Sequence, residues 1–254
     1  MGCDIVKCKK CGIVFAKRRL NKSGLSKYWE DYLSRVHKHD DDMNIKRKKM
    51  YQIDFNFINN YCSHGKVLDV GCSNGDFMTF FENKGYDTYG IEFGTEAAEL
   101  AMINHKVKCG ILPDMKIDEK FDLIVFRGVL QYFPDVKRYL SKALDLLSDK
   151  GFIFITAQPN MDSYCFKLFK GKFSLPVTGA DFIGYTETIF TNYFIEHGLK
   201  KVAEKYFYEE TPYADLENDI LKVAEAIKTK NAGKEIESKA PAFYGNMMSV
   251  IYQK

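Results

Sequence analysis

Residues 67–70 form a short apolar run of the kind buried on both faces of a sheet, and a glycine-punctuated turn follows at once. Residues 77–85 then take up a helical spacing that ends at Gly85, and 87–92 return to a strand-like pattern. The alternation continues with a helix predicted over 94–101, Thr95 as its N-cap, and a third strand over 107–112. Further along, helical spacing over 188–197 stops at Gly198 and 199–208 reads as a strand. Leu216, Ile220, Val223 and Ile227 recur at intervals of three or four along a helix over 215–228, and a final strand over 243–252 follows a polar loop. Ahead of the first strand lie two more helical patterns, over 23–34 and 43–61, the second with Met50, Ile53, Phe57, Ile58 and Tyr61 along one side. Strand and helix in alternation mean an α/β fold with a parallel, doubly wound sheet. Ligands of such sheets bind beyond the carboxyl ends of the strands, at the switch point.

The turn after 67–70 aims backbone N–H groups and the positive end of a helix at one spot, which suits a nucleotide-like ligand. Glu92 stands 21 residues beyond Gly71, at the carboxyl end of the next strand, where it can accept hydrogen bonds from two ribose hydroxyls. A dinucleotide site would need G-x-G-x-x-G. The chain instead reads D-x-G-x-x-x-G from Asp69 to Gly75, and a carboxylate at Asp69 can face a cation where it would repel a pyrophosphate. The stretch Asp69-Val70-Gly71-Cys72-Ser73-Asn74-Gly75 resembles the first motif of the class I S-adenosylmethionine-dependent methyltransferases, D-V-G-C-G-x-G, with Ser73 in place of the middle glycine. The likeness covers roughly residues 45–210: 121–135 looks like the family's fourth strand and following loop, and 146–156 like its helix, glycine turn and fifth strand.

This resemblance implies a Rossmann-like, mostly parallel seven-stranded sheet with an antiparallel last strand. It implies a donor site formed by Asp69, Gly71, Cys72, Ser73, Gly75, Phe77, Glu92, Phe93, Ile111, Leu112 and Arg127, with Ile111 or Leu112 beside the adenine. It also implies that the aromatic helix over 23–34 closes over the cofactor as a lid, although its aromatics equally suit plain packing on the sheet domain.

At 254 residues, 46% hydrophobic and 15% aromatic, the chain can bury one substantial core and carry a small appendage. The expected division is an N-terminal appendage, 1–42, and a methyltransferase domain, 43–254, with an acceptor-covering insertion at about 160–187. Net charge is only +3, and the run Lys46-Arg47-Lys48-Lys49 follows Asp40-Asp41-Asp42, which reads as a solvated helix face. Nucleic acid is therefore not expected as a partner. No run of eighteen apolar residues is present to span a membrane, no signal core opens the chain, and the seven cysteines are odd in number, so reduced thiols in the cytoplasm are expected.

Cys8 and Cys11 belong to a C-x-x-C-G knuckle with Cys3 upstream. The knuckle resembles the second half of a zinc ribbon that often precedes methyltransferase domains; these three thiols are zinc ligands if the ribbon holds metal, and free thiols of a vestigial turn otherwise. Cys62, Cys72, Cys109 and Cys165 fall in or beside apolar runs and are expected in the core, whereas His64, His105 and His197 are expected at the surface.

A sulfonium is already a good leaving group, so the enzyme has chiefly to hold an acceptor in line and desolvated. Related sequences commonly carry an acid and a histidine in the loop after strand four, where this chain has Gln131 and Tyr132. The candidate catalytic residues are Arg127, either holding an anionic acceptor or paired with a nearby carboxylate, and Tyr132. The aromatic and basic insertion suits a small-molecule acceptor. The company kept by ribbon-plus-methyltransferase chains points to O-methylation of a sugar-linked or phosphorylated metabolite in surface-polysaccharide biosynthesis. Methylation of a quinone or aromatic ring, and a non-catalytic S-adenosylmethionine-binding regulator, are the alternatives.

Overall fold

The computed structural model describes residues 5–30, 41–173 and 183–254, so Cys3, the end of the helix predicted over 23–34 and the middle of the insertion lie outside the described residues. A hairpin of β1 (Ile5–Lys7) and β2 (Val14–Ala16) precedes α1 (Lys22–Glu30) and α2 (Asp41–Asn59). Then come β3 (Lys66–Val70), α3 (Met78–Glu82), β4 (Asp87–Glu92), α4 (Thr95–Met102), β5 (Lys106–Cys109), β6 (Phe121–Arg127), α5 (Val136–Leu146) and β7 (Leu147–Pro159). The remainder is α6 (Tyr164–Phe169), β8 (Ile183–Gly184), α7 (Glu187–Glu196), β9 (Lys200–Lys205), α8 (Leu216–Asn231) and β10 (Met247–Gln253).

Seven strands form the main sheet in the order β5-β4-β3-β6-β7-β10-β9. The five strands from β5 to β7 are mutually parallel, and β10 runs antiparallel to both of its neighbours. This is the doubly wound sheet that the alternation implied, in the Rossmann-like form with an antiparallel last strand that the resemblance implied. The central strands are mostly apolar because both faces are covered. On one face Leu68, Ile124, Phe126, Ile153 and Ile155 pack against α5 and α7; on the other Val67, Leu123, Val125 and Phe154 pack with Phe55 and Ile58 of α2 and Phe81 of α3. Among the described residues no helix is long and apolar enough to cross a membrane.

A second, three-stranded sheet joins the two ends of the chain's lid region. β2 pairs with β1 on one side and with β8 on the other, through Val14↔Gly184 and Phe15↔Ile183. Val14 is buried in a cluster with Phe169, Phe173 and Phe243. The hairpin that carries the cysteine knuckle therefore braces the insertion.

Several local expectations are corrected. Gly94, extended at φ −73 and ψ 120, caps α4, and Thr95 is its first helical residue. The third strand stops at Cys109, and Leu112–Asp114 is a 3₁₀ turn beginning at Leu112. On α8, Val223 is buried with Asp219 and Ala226, whereas Leu216 and Ile220 are 47% and 55% exposed, because the inward-facing stripe runs through Asp219. Cys62, Cys72 and Cys165 are buried, whereas Cys109, at the end of edge strand β5, is exposed.

Candidate active site

A cavity of about 1060 Å³ opens at the carboxyl ends of β3, β4 and β6 and runs on toward β7 and β10. That is at the upper end of the range for a single small ligand and leaves room for a donor and an acceptor side by side. Asp69, Gly71, Cys72, Ser73, Phe77, Glu92, Phe93, Ile111, Leu112, Arg127 and Tyr132 all line it. Sequence spacing thus brought together residues from four separate strand ends. Gly75 does not line the cavity, because it faces away from it toward the ring of His105.

The loop after β3 is shaped by left-handed backbone. Gly71 has φ +79 and approaches Val129 so closely that a Cβ would lie 2.7 Å from Cγ1. Ser73 adopts φ +53, which shows why glycine is at ease in that position. Its backbone N–H donates to Glu92 Oε2 at 2.8 Å, and the N–H of Gly94 donates to Oε1 at 2.8 Å. The carboxylate of Glu92 is thereby fixed with one lone pair on each oxygen still directed elsewhere. Burial raises its pKa, against the pull of those backbone donors.

Asp69 is almost wholly buried, and its Oδ1 has no hydrogen-bond partner; the same holds for Ser73 Oγ. Burial lifts the Asp69 carboxyl from 3.8 to about 7, with Arg127 pulling it down and Glu92 pushing it up. An unpartnered, desolvated carboxyl beside a cavity fits a cationic ligand group.

Arg127 resolves into the second of its two expected roles. Its Nε donates to Asp54 Oδ2 at 2.9 Å, and its guanidinium lies 4.4 Å from the ring centre of Tyr51 and 5.5 Å from that of Phe77. Asp54, on α2, is 0% exposed; it also accepts from the Thr156 hydroxyl at 2.7 Å, and Thr156 lies 2.6 Å from the Ser249 hydroxyl. Burial raises the pKa of Asp54, against Arg127 and Thr156. This network ties α2, β6, β7 and β10 together beneath the cavity.

Tyr132 packs edge-on to Trp29 with ring centres 5.0 Å apart, and Leu20, Leu25 and Trp29 also line the cavity. α1 therefore lies over the cleft, and its aromatic residue packs at the same time. Gln131 turns inward, where its amide donates to the Gly128 carbonyl at 2.7 Å. Sequence reading missed two residues. Arg47, assigned to a solvated helix face, lines the cavity, and Asp54 lay 73 residues from its partner with nothing in the spacing to mark it.

At the knuckle, Gly12 at φ +78 closes the turn with its N–H on the Cys8 carbonyl at 3.0 Å. Backbone hydrogen bonds from Cys11 and Lys10 lower the pKa of the Cys8 thiol. Among the described residues no group of three or more His, Cys, Asp or Glu could hold a metal ion, and the two thiols fall short of the four ligands of a structural zinc. The described residues do not fit zinc, and Cys3 lies outside them.

Residues 25–207 match the family described as the methyltransferase domain. The chain belongs to that family. It is a class I S-adenosylmethionine-dependent methyltransferase. This methyltransferase is similar to the ubiquinone biosynthesis O-methyltransferase of Haemophilus ducreyi, 28% identical over 105 residues that cover 36% of this chain and 44% of that one. It is also similar to the enzyme of the same name from Photorhabdus laumondii, 26% identical over 101 residues, 36% of this chain and 42% of that one. The chain spans less than half the length of these curated relatives. Its fold is similar to magnesium protoporphyrin IX methyltransferase from Synechocystis PCC 6803 with bound S-adenosylhomocysteine, at TM-score 0.63 and 12% identity, covering 92% of this chain and 100% of that one. A second likeness of fold is to 1,6-didemethyltoxoflavin-N1-methyltransferase from Burkholderia thailandensis, at TM-score 0.60 and 14% identity, covering 99% of each chain.

Proposed function

We propose that the methyltransferase moves a methyl group from S-adenosylmethionine to an oxygen on an apolar, ring-containing small molecule. The observation that carries this reading is the lining of the cavity beyond Arg127, where Met43, Met50, Tyr51, Phe173, Phe207 and Phe243 face the space. Such walls complement a flat, poorly solvated acceptor, whereas a sugar-linked acceptor for surface polysaccharide would need polar partners for its many hydroxyls. The aromatic-ring alternative is therefore favoured over the polysaccharide reading. The names of the curated relatives support it as well.

When bound, S-adenosylmethionine supplies a methyl group on a sulfonium, ready for displacement. The residues assigned to hold it are Asp69 for positive charge, Ser73 and Glu92 for hydroxyls, and Ile111 and Leu112 for the adenine. The unpartnered oxygens of Asp69 and Ser73 fit that set. Asp54, engaged by Arg127 and Thr156, holds Arg127 still between the donor and acceptor halves. Tyr51 and Tyr213 line the cavity, and burial raises the pKa of both phenols, so as protonated donors they would hydrogen-bond an acceptor oxygen that enters as its anion, its proton already given to water. Residues 1–42 act with the insertion at about 160–187 as the acceptor wall, a role supported by Val14 packing with Phe173 and Phe243. A cytoplasmic location fits the six described cysteines, all free.

The deciding experiment incubates the protein with S-adenosylmethionine and two acceptor panels, hydroxylated quinones and phenols against nucleotide sugars, and follows S-adenosylhomocysteine release. Turnover confined to the ring panel is expected. Turnover of sugars would restore the polysaccharide reading, and donor binding without turnover in any panel would favour the regulatory one. Replacing Glu92 by Ala should weaken S-adenosylhomocysteine binding by about 1–3 kcal/mol in calorimetry, the cost of leaving ribose hydroxyls unpaired.

A further inference from the structure

We propose that His105, acting through Gly75, is a positioning residue for the donor site. The inference rests on the donor half assigned above.

His105 was expected at the surface; instead its side chain is 7% exposed, lodged behind the loop that follows β3. Nδ1 lies 2.9 and 3.0 Å from the two carboxylate oxygens of Glu82 on α3, and Glu82 also accepts from the Thr88 hydroxyl on β4. One carboxylate thus locks α3, β4 and the approach to β5 around the imidazole. The opposite edge of the ring meets Gly75. A Cβ built there would lie 2.8 Å from His105 Nε2 and closer still to Cδ2, so the ring occupies the space that any other residue at position 75 would need.

Gly75 in turn closes the donor loop. With φ +85, it donates its N–H to the Cys72 carbonyl at 3.0 Å, one residue from the Ser73 N–H that fixes Glu92. Contact therefore runs without a break from Glu82 through His105, Gly75 and the Cys72–Ser73 backbone to the Glu92 carboxylate. Glu82, His105 and Gly75 stand outside the cavity lining, behind the loop that carries Cys72 and Ser73. Withdrawing the ring lets the loop settle backward and detunes Ser73 and Glu92 while leaving the acceptor half in place.

The test compares native protein, His105→Ala, His105→Phe and His105→Asn, with S-adenosylhomocysteine as the probe. The Phe variant keeps a ring against Gly75 and loses the bond to Glu82; the Asn variant can keep that bond and withdraws from Gly75. Calorimetry should show affinity falling by about tenfold or more for Ala and Asn, and by less for Phe, as for loss of support behind a binding loop. The far-ultraviolet circular dichroism of the variants should match that of the native protein without ligand. Should the Ala variant fail to fold, the Asn variant carries the same expectation. Binding within twofold of native for both, or loss of affinity matched by loss of far-ultraviolet circular dichroism in both, would overturn the proposal. Failure of the native protein to bind S-adenosylhomocysteine is a separate result: it would remove the donor site itself, and this inference with it.

Discussion

Replacing Arg127 by Ala is expected to destabilise the fold by about 3–5 kcal/mol, the usual consequence of leaving a buried charge without its partner. Asp54 is wholly buried and takes its ionic contact from Arg127 Nε. The remaining support, the Thr156 hydroxyl, is neutral. Because burial already raises the pKa of Asp54, the deficit should shrink as pH falls and the carboxyl takes up a proton. Urea unfolding of the variant at neutral and acidic pH measures both effects. A double variant, Asp54→Leu with Arg127→Met, should recover most of the stability, since it removes both charges and keeps the volume. If the single variant instead loses less than about 1 kcal/mol, the pair behaves as an exposed one and the network beneath the cavity has no structural weight.

Donor affinity is expected to rise with pH through about 7, because that is where the buried Asp69 carboxyl ionises. The sign follows from what each state binds. A cation prefers the carboxylate, so affinity for S-adenosylmethionine should fall by up to about tenfold per pH unit below that point. Folding stability moves the other way. The folded state holds the proton up to about 7 and the unfolded chain only up to 3.8, so this residue's contribution is fullest below 3.8 and is lost as pH rises between the two values. Opposite slopes for binding and stability, arising from one side chain, distinguish Asp69 from a generic acid effect. Asp69→Asn should flatten both profiles, and Arg127→Ala should move the binding midpoint upward, since Arg127 holds that pKa down. A calorimetric titration series that shows no pH dependence in the native protein would remove Asp69 from the donor site.

Much of the architecture was legible because β3 and the turn after it combine two strong local signals. A strand buried on both faces is mostly apolar, which makes Asp69 stand out within it, and Gly71 must tolerate φ +79 beside Val129. Glu92 was legible for a related reason, as the acid at the end of the next such strand. What escaped depends on contacts between distant segments. His105 sits in a polar-looking turn, and only the approach of Glu82 from α3 and Gly75 from the loop makes it an interior residue. Arg47 lies in a basic run whose periodicity does not reveal that one member turns into the cavity. Arg127 could have held an anion or a carboxylate; the choice was made by Asp54 on α2, which its own helix gives no reason to bury. Leu216 and Ile220 share a helix face with Val223, yet the stripe that packs inward is set by the buried Asp219, a polar residue that apolar spacing does not mark. The pairing of β2 with β8 joins segments about 170 residues apart, beyond the reach of any local pattern.

The place of β10 between β7 and β9 also has a consequence for synthesis. On the ribosome, one long edge of β7 is complete well before the strand that covers it, because about 88 residues separate Pro159 from Met247. At roughly 5–20 residues per second the edge stays open for about 4–18 s, with Phe152 to Pro159 presenting unpaired backbone groups to neighbouring nascent chains. Crowded polysomes are thus the setting in which this chain is most exposed to edge-to-edge aggregation, and chaperone demand should peak just before residues 247–253 emerge.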